Sequence, residues 1–274
     1  MARLATLSHG KVDQLHRELG RCLTAEEGEL LLGNPSLWNA MLATLPTRTH
    51  APPPSRACFT PLADKIKTVK AWPGVNPADV DAAFEMAKED GTIAGYEAEV
   101  GASPLLDIVV TVYRGSVHAT LAYLYARWCD RYGSDNAWKE AYAGVIGENR
   151  VKLIPGASPF IPNRIAIEVV DFGANWDREN GLVLETIQKT QAVNLAGFAV
   201  ICNGIQSPDW VKQMNGKDTP YAIAGALLLT VPGYRVYSPF VWRDGRGAGL
   251  RGGGVDGRFY GSAVPVLRKY GARS

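Results

Sequence analysis

The side chains able to do chemistry in this 274-residue chain are few and scattered. Its four cysteines, Cys22, Cys58, Cys129 and Cys202, stand tens of residues apart, and no Cys or His pair has the spacing of a structural zinc site. They read as free thiols in a reducing compartment. His118 and Cys129 fall on one predicted helix, but at a rise of ~1.5 Å per residue they are roughly 16 Å apart and cannot form a thiol–imidazole pair. No HExxH, GxSxG or GxxxxGK[ST] occurs, which removes the common spellings of a zinc hydrolase, a nucleophile elbow and a phosphate loop. Gly247-Ala248-Gly249-Leu250-Arg251-Gly252 matches GxGxxG formally. The dinucleotide fingerprint must open a helix, and the following GGVDGRFYGSAVPV is a poor one.

Two constellations remain. Along a predicted strand at 164–172, Glu168 and Asp171 are three apart and point to opposite faces. Asp171 can therefore converge only with Asp177 and Glu179 of the loop GANWDRENG, assisted by Asn175, as oxygen ligands for Mg²⁺ or Ca²⁺. The competing reading is an Asx-rich turn whose side chains satisfy their own backbone. The second constellation is basic. From Arg243 to Ser274, seven Arg and Lys face two Asp. Arg246, Arg251 and Arg258 are spaced by glycines and accompanied by Trp242, Phe259 and Tyr260, residue types that suit phosphate backbones and unstacked bases. They suit an acidic protein surface equally, and this chain has one. Between Asn76 and Asp107, the acids Asp79, Asp81, Glu85, Glu89, Asp90, Glu97, Glu99 and Asp107 are countered by Lys88 alone.

These groups need a frame. Residues 1–48 read as a helical segment, with a capping-box spelling at Thr24-Ala25-Glu26-Glu27 and Asn34-Pro35 as cap and first turn of SLWNAMLATL. Leu30, Leu37, Trp38 and Met41 form an apolar stripe there, expected to contact the main body or another subunit. A proline-rich connector, 49–61, separates this segment from a body at 62–274. In the body, Asn76-Pro77 starts a helix that Gly91 ends, and LLDIVVTVY at 105–113 is a buried strand. Ser116 caps a helix to Gly133 with Val117, Leu121, Leu124 and Trp128 on one face. A strand follows at 164–172, and 181–204 is expected to be helical. Ile223–Val231 and Arg235–Trp242 are strands about a Pro232-Gly233 turn. The stretch 243–257 is too glycine-rich for a helix or a long strand, and 258–269 returns as a final strand interrupted at Gly261 and Pro265.

Four stretches of the second half, IEVVDFGANWDRENG, SPDWVKQMNGKDTPYAIAG, VPGYRVYSPFVW and AVPVLRKYG, resemble a recurrent pattern in a family of uncharacterised conserved proteins of uncultured small-genome bacteria. The resemblance covers roughly 160–270. It implies a recurring domain with Asn175-Trp176-Asp177, Trp210 and Met214-Asn215-Gly216 as signature positions, and it brings no activity or catalytic residue with it.

With 46% hydrophobic and 20% charged residues and a net charge of +2, the composition is that of a globular domain and selects no partner. The N-terminus lacks a signal-peptide core, and the longest apolar run, Ala222–Val231, is about half of the ~20 residues needed to cross a bilayer. The sequence thus predicts an α+β protein, a helical N-terminal segment followed by a mixed body ending in antiparallel β-strands, soluble, cytoplasmic and without membrane contact or cofactor. The leading functional expectation is a non-enzymatic assembly protein forming a homo-oligomer through complementary charged and apolar surfaces. A nucleic-acid-binding protein using 243–260 and a metal-dependent enzyme using 171–179 are the alternatives.

Overall fold

The computed structural model describes residues 58–133, 150–154, 160–176, 194–216, 219–230, 236–244, 247–255 and 261–270. The apolar stripe Leu30, Leu37, Trp38 and Met41, most of the connector, and Arg246, Arg258, Tyr260, Asp177 and Glu179 lie outside them.

The body is α+β. Helices α1 (Leu62–Lys70), α2 (Pro77–Glu89) and α3 (Thr92–Glu99) lead into strand β1 (Leu106–Val112), which is followed by helix α4 (Val117–Tyr132). The local signals account for these ends. Asn76 accepts the Ala78 N–H with Pro77 in the first turn, and Ser116 accepts the Ala119 N–H. Gly91, at φ 81°, occupies the left-handed position that separates α2 from α3, and Gly133, at φ 87°, stops α4. The stripe expected on α4 holds, with Leu121, Leu124 and Trp128 all buried.

Strand β3 (Ile165–Asp171) pairs antiparallel with β1 from Leu106↔Asp171 to Val112↔Ile165, and β9 (Val266–Arg268) completes a three-stranded sheet on the other side of β3. β2 (Val151–Leu153), β4 (Tyr221–Ile223), β5 (Leu227–Thr230), β6 (Val236–Asp244), β7 (Gly247–Gly254) and β8 (Ser262–Ala263) form the second sheet. β6 is its axis, paired with β5 and β4 along one edge and with β7 along the other. Between the sheets lies α5 (Phe198–Gln206), every residue of it buried, followed by the short α6 (Pro208–Gln213). Its sequence, FAVICNGIQ, is apolar nearly all round, as a helix covered on every side must be.

Four local expectations change. The strand expected over Ile223–Val231 is broken at Ala224–Ala226, so that β4 and β5 lie end to end against β6. The helix expected over 181–204 is confined, among the described residues, to Phe198 onward, because Leu195 instead bridges Val266. The final strand divides at Pro265: β8 joins β4 in one sheet while β9 joins β3 in the other. The segment judged too glycine-rich for a long strand contains the eight-residue β7. Propensity is overridden there by the partner, since β6 supplies every rung from Tyr237↔Gly254 to Asp244↔Gly247. Trp242 also lies across Gly249, where a Cβ would collide with the indole, and shields the bare backbone.

Candidate functional site

β1 is an edge strand, and its second edge is closed by side chains. Paired to β3 on one side, it turns the backbone groups of Ile108, Val110 and Val112 the other way, towards α1 and α5. Gln206, at the end of α5, meets Val110 twice: its Nε2 donates to the carbonyl at 2.6 Å and its Oε1 accepts the N–H at 3.2 Å. A side-chain amide thus replaces one rung of a neighbouring strand. The Val112 N–H faces the Cys202 sulfur, and the Arg114 N–H is taken by Thr120 Oγ1 at 2.8 Å. Such coverage removes a template for unwanted strand pairing.

The Ile108 carbonyl is bonded by Lys65. Lys65 Nζ donates to Asp107 Oδ2 at 2.5 Å, to Ile108 O at 2.8 Å and to Asn203 Oδ1 at 2.8 Å, which uses all three ammonium protons. Asp107 Oδ1 accepts the Ile108 N–H, and Ser207 Oγ donates to Asn203 Oδ1. Burial pulls the Lys65 ammonium down from its ordinary range, and the Asp107 carboxylate opposes that. Burial, reinforced by Asp107, pushes the nearby Cys58 thiol up to about 11, and burial pushes Cys202 up to about 12. Both thiols are therefore neutral and unreactive at physiological pH. Lys65 is 0% exposed and Asp107 1%. A pair so enclosed fixes α1 and α5 onto β1 and meets no solute.

The sequence-predicted sites are placed as follows. Asp171 Oδ2 pairs with Arg268 Nη2 at 2.6 Å, and its Oδ1 accepts the Gly173 N–H at 3.0 Å. Asn175, proposed to assist a metal, donates to the Val264 carbonyl at 3.1 Å. Among the described residues no three His, Cys, Asp or Glu converge as metal ligands. The Arg251 guanidinium sits 5.5 Å from the Trp242 ring, so the structure does bring those two candidates together. Of the positions singled out by resemblance, Trp210 and Met214 are core residues, and Trp210 stacks on Phe59 and meets the tilted ring of Phe172 at 4.6 Å. Gly216 holds φ 70° and lies against Gly261, itself at φ 72°, on which a Cβ would enter the Gly216 backbone.

The acidic face is real but smaller than its sequence count. Asp107 leaves it for the interior, while Asp79, Asp81, Glu85, Glu89, Asp90, Glu97 and Glu99 are exposed on or beside α2 and α3. On α2 the side opposite the core residues Val80, Ala83 and Ala87 carries Asp81, Glu85 and Glu89 at four-residue spacing, with Met86 47% exposed beside them. Lys70 pairs with Asp81 at 2.5 Å and Lys88 with Glu85 at 2.8 Å. Tyr270 lies against Gly95 and donates to Glu99 at 2.9 Å; burial, with Glu99, pushes its phenol up to about 12.

Sequence reasoning missed Lys65, Asn203 and Gln206. The signal was there for Lys65, which shares a helical stripe with Leu62, Ile66 and Val69 in LADKIKTVK, the one cation on an apolar side. Asp107 likewise interrupts a run of strand-forming residues. No helix of the described residues is long and apolar enough to cross a membrane. Comparison with family models, curated proteins and solved structures found no match.

Proposed function

We propose that the protein is a non-enzymatic interaction protein that self-associates by setting the acidic face of α2 and α3 against the arginines of its glycine-rich segment. The observation that carries this reading is the exposed stripe Asp81, Glu85 and Glu89 with Met86 beside it, a mixed charged and apolar surface on a helix whose other side is already packed. Basic counterparts stand at Arg246, Arg251 and Arg258, far along the chain. Complementary patches at separate places on one molecule favour head-to-tail contact between copies.

The test is a charge swap read by light scattering. Replacing Arg246, Arg251 and Arg258 by Glu is expected to abolish self-association, and adding Asp79, Asp81 and Glu85 to Lys in the same chain is expected to restore part of it. Added salt should weaken the wild-type assembly by screening. A monomeric wild type, or a swap that restores nothing in a protein still folded by circular dichroism, rejects the reading. One observation favours nucleic acid as a second reading, the cation–π contact between Arg251 and Trp242. In that case the purified protein carries nucleic acid by its 260/280 nm absorbance, and the added lysines on α2 leave binding lost.

A further inference from the structure

The core of the body sets a carboxylate and a carboxamide against one amine and keeps water out. Lys65 and Asn203 are 0% exposed and Asp107 is 1% exposed. An amine, a carboxamide and a proton carrier are the three groups that an amide exchange between two side chains needs. Lys65 Nζ lies 2.8 Å from Asn203 Oδ1. The carbonyl carbon is one ~1.23 Å bond further on, and so within about 4 Å of the amine nitrogen. Asp107 Oδ2, 2.5 Å from Nζ, is placed to take an ammonium proton, which leaves the nitrogen a lone pair. Burial favours that neutral amine more strongly than the Asp107 charge opposes it.

The carboxamide is also prepared for attack. Ser207 Oγ donates to Asn203 Oδ1 at 3.1 Å, which polarises the carbonyl, and Ser207 Oγ is itself held by the Thr60 N–H at 3.2 Å. Asn203 Nδ2 is closed off from solvent and has no hydrogen-bond partner, so no bond restrains the group that must leave. A buried donor left in this way costs free energy, and its departure removes the cost.

We propose that Lys65 and Asn203 join in an intramolecular isopeptide bond, with Asp107 as the proton carrier. Nζ attacks Asn203 Cγ, the bond from Cγ to Nδ2 breaks, and ammonia leaves. Of the two protons that the ammonium gives up, one completes the ammonia and the other stays on Asp107. Nothing is oxidised or reduced, and no co-reactant is needed. The product carbonyl still accepts from Ser207, while neutral groups replace a buried ion pair and the desolvation cost of two charges disappears. The bond ties α1 to α5 across the edge of β1 and links residues 138 positions apart, which restricts the unfolded chain. Before it forms, the ion pair alone holds this layer.

Intact mass spectrometry of the full-length chain, kept folded until its mass stops changing, tests the bond. The expected mass is that of the sequence less one ammonia, and proteolysis should yield a branched peptide joining Lys65 to Asn203. Lys65→Arg, which keeps the positive charge, and Asp107→Asn, which removes the proton carrier, should both keep the full mass. A wild-type chain of unchanged sequence mass overturns the proposal. So does an ammonia loss confined to one peptide, because Asn203 precedes Gly204 and ring closure onto the backbone there gives the same mass without a branch. A branch that still forms in Asp107→Asn overturns the role of the carboxylate. If the variants do not fold, the wild-type mass and its branched peptide decide.

Discussion

Lys65→Met is expected to destabilise the fold by about 3–5 kcal/mol, the range for removing one partner of a buried ion pair. The variant takes the Lys65 ammonium away from the Asp107 carboxylate, in a site where the two side chains are 0% and 1% exposed. It also strips a donor from Ile108 O and from Asn203 Oδ1. Lys65→Met combined with Asp107→Leu should recover most of the loss, because no charge is then left in the core and burying apolar groups of similar size is often neutral or better. Urea unfolding of the single and double variants checks this. Equal losses in the two would mean that the ammonium's bonds to Ile108 and Asn203 matter more than its pairing with Asp107.

The second large effect is expected at Gln206. Gln206→Leu fits the apolar surroundings but leaves both the N–H and the carbonyl of Val110 without partners, at about 1–3 kcal/mol for each buried group. Gln206→Glu separates shape from hydrogen bonding. A carboxylate still accepts the Val110 N–H but sets a negative charge against the Val110 carbonyl, whereas the protonated acid donates to it. The variant should approach wild-type stability in acid and lose it as pH rises, since its folded state holds a proton that the unfolded chain releases. Denaturant midpoints at two pH values measure the difference. A constant gap would show that Gln206 acts through packing alone.

Both effects arise on one strand. β1 presents Asp107 among Leu106, Ile108, Val109 and Val110, and its outward polar groups are met from far along the chain: Asp107 by Lys65 from before the strand, and the Val110 backbone by Gln206 from α5, while Asn203 of α5 accepts from the same lysine. A central layer held by specific polar contacts between two sheets keeps α5 in a single register.

The elements written in short-range code were legible in the sequence. Asn76-Pro77, Ser116, Gly91 and Gly133 mark helix ends through groups within a few residues, and the β-branched run of β1 needs only its own side chains to declare a buried strand. Alternation alone put Glu168 and Asp171 on opposite faces, and they serve different partners, Tyr113 and Arg268. What tertiary structure decided are the contacts between distant segments. β7 exists because β6 pairs with it and Trp242 covers it, a partner effect that glycine counting cannot see. The chain changes sheets at Pro265 because Leu195 and β3 capture Val266. Asp107 counts as surface charge in any sum along the sequence, yet it is buried because a lysine 42 positions earlier is folded against it. A charge sum carries no distances, and whether an ionisable group faces water or a counter-ion is settled only when the chain has closed around it.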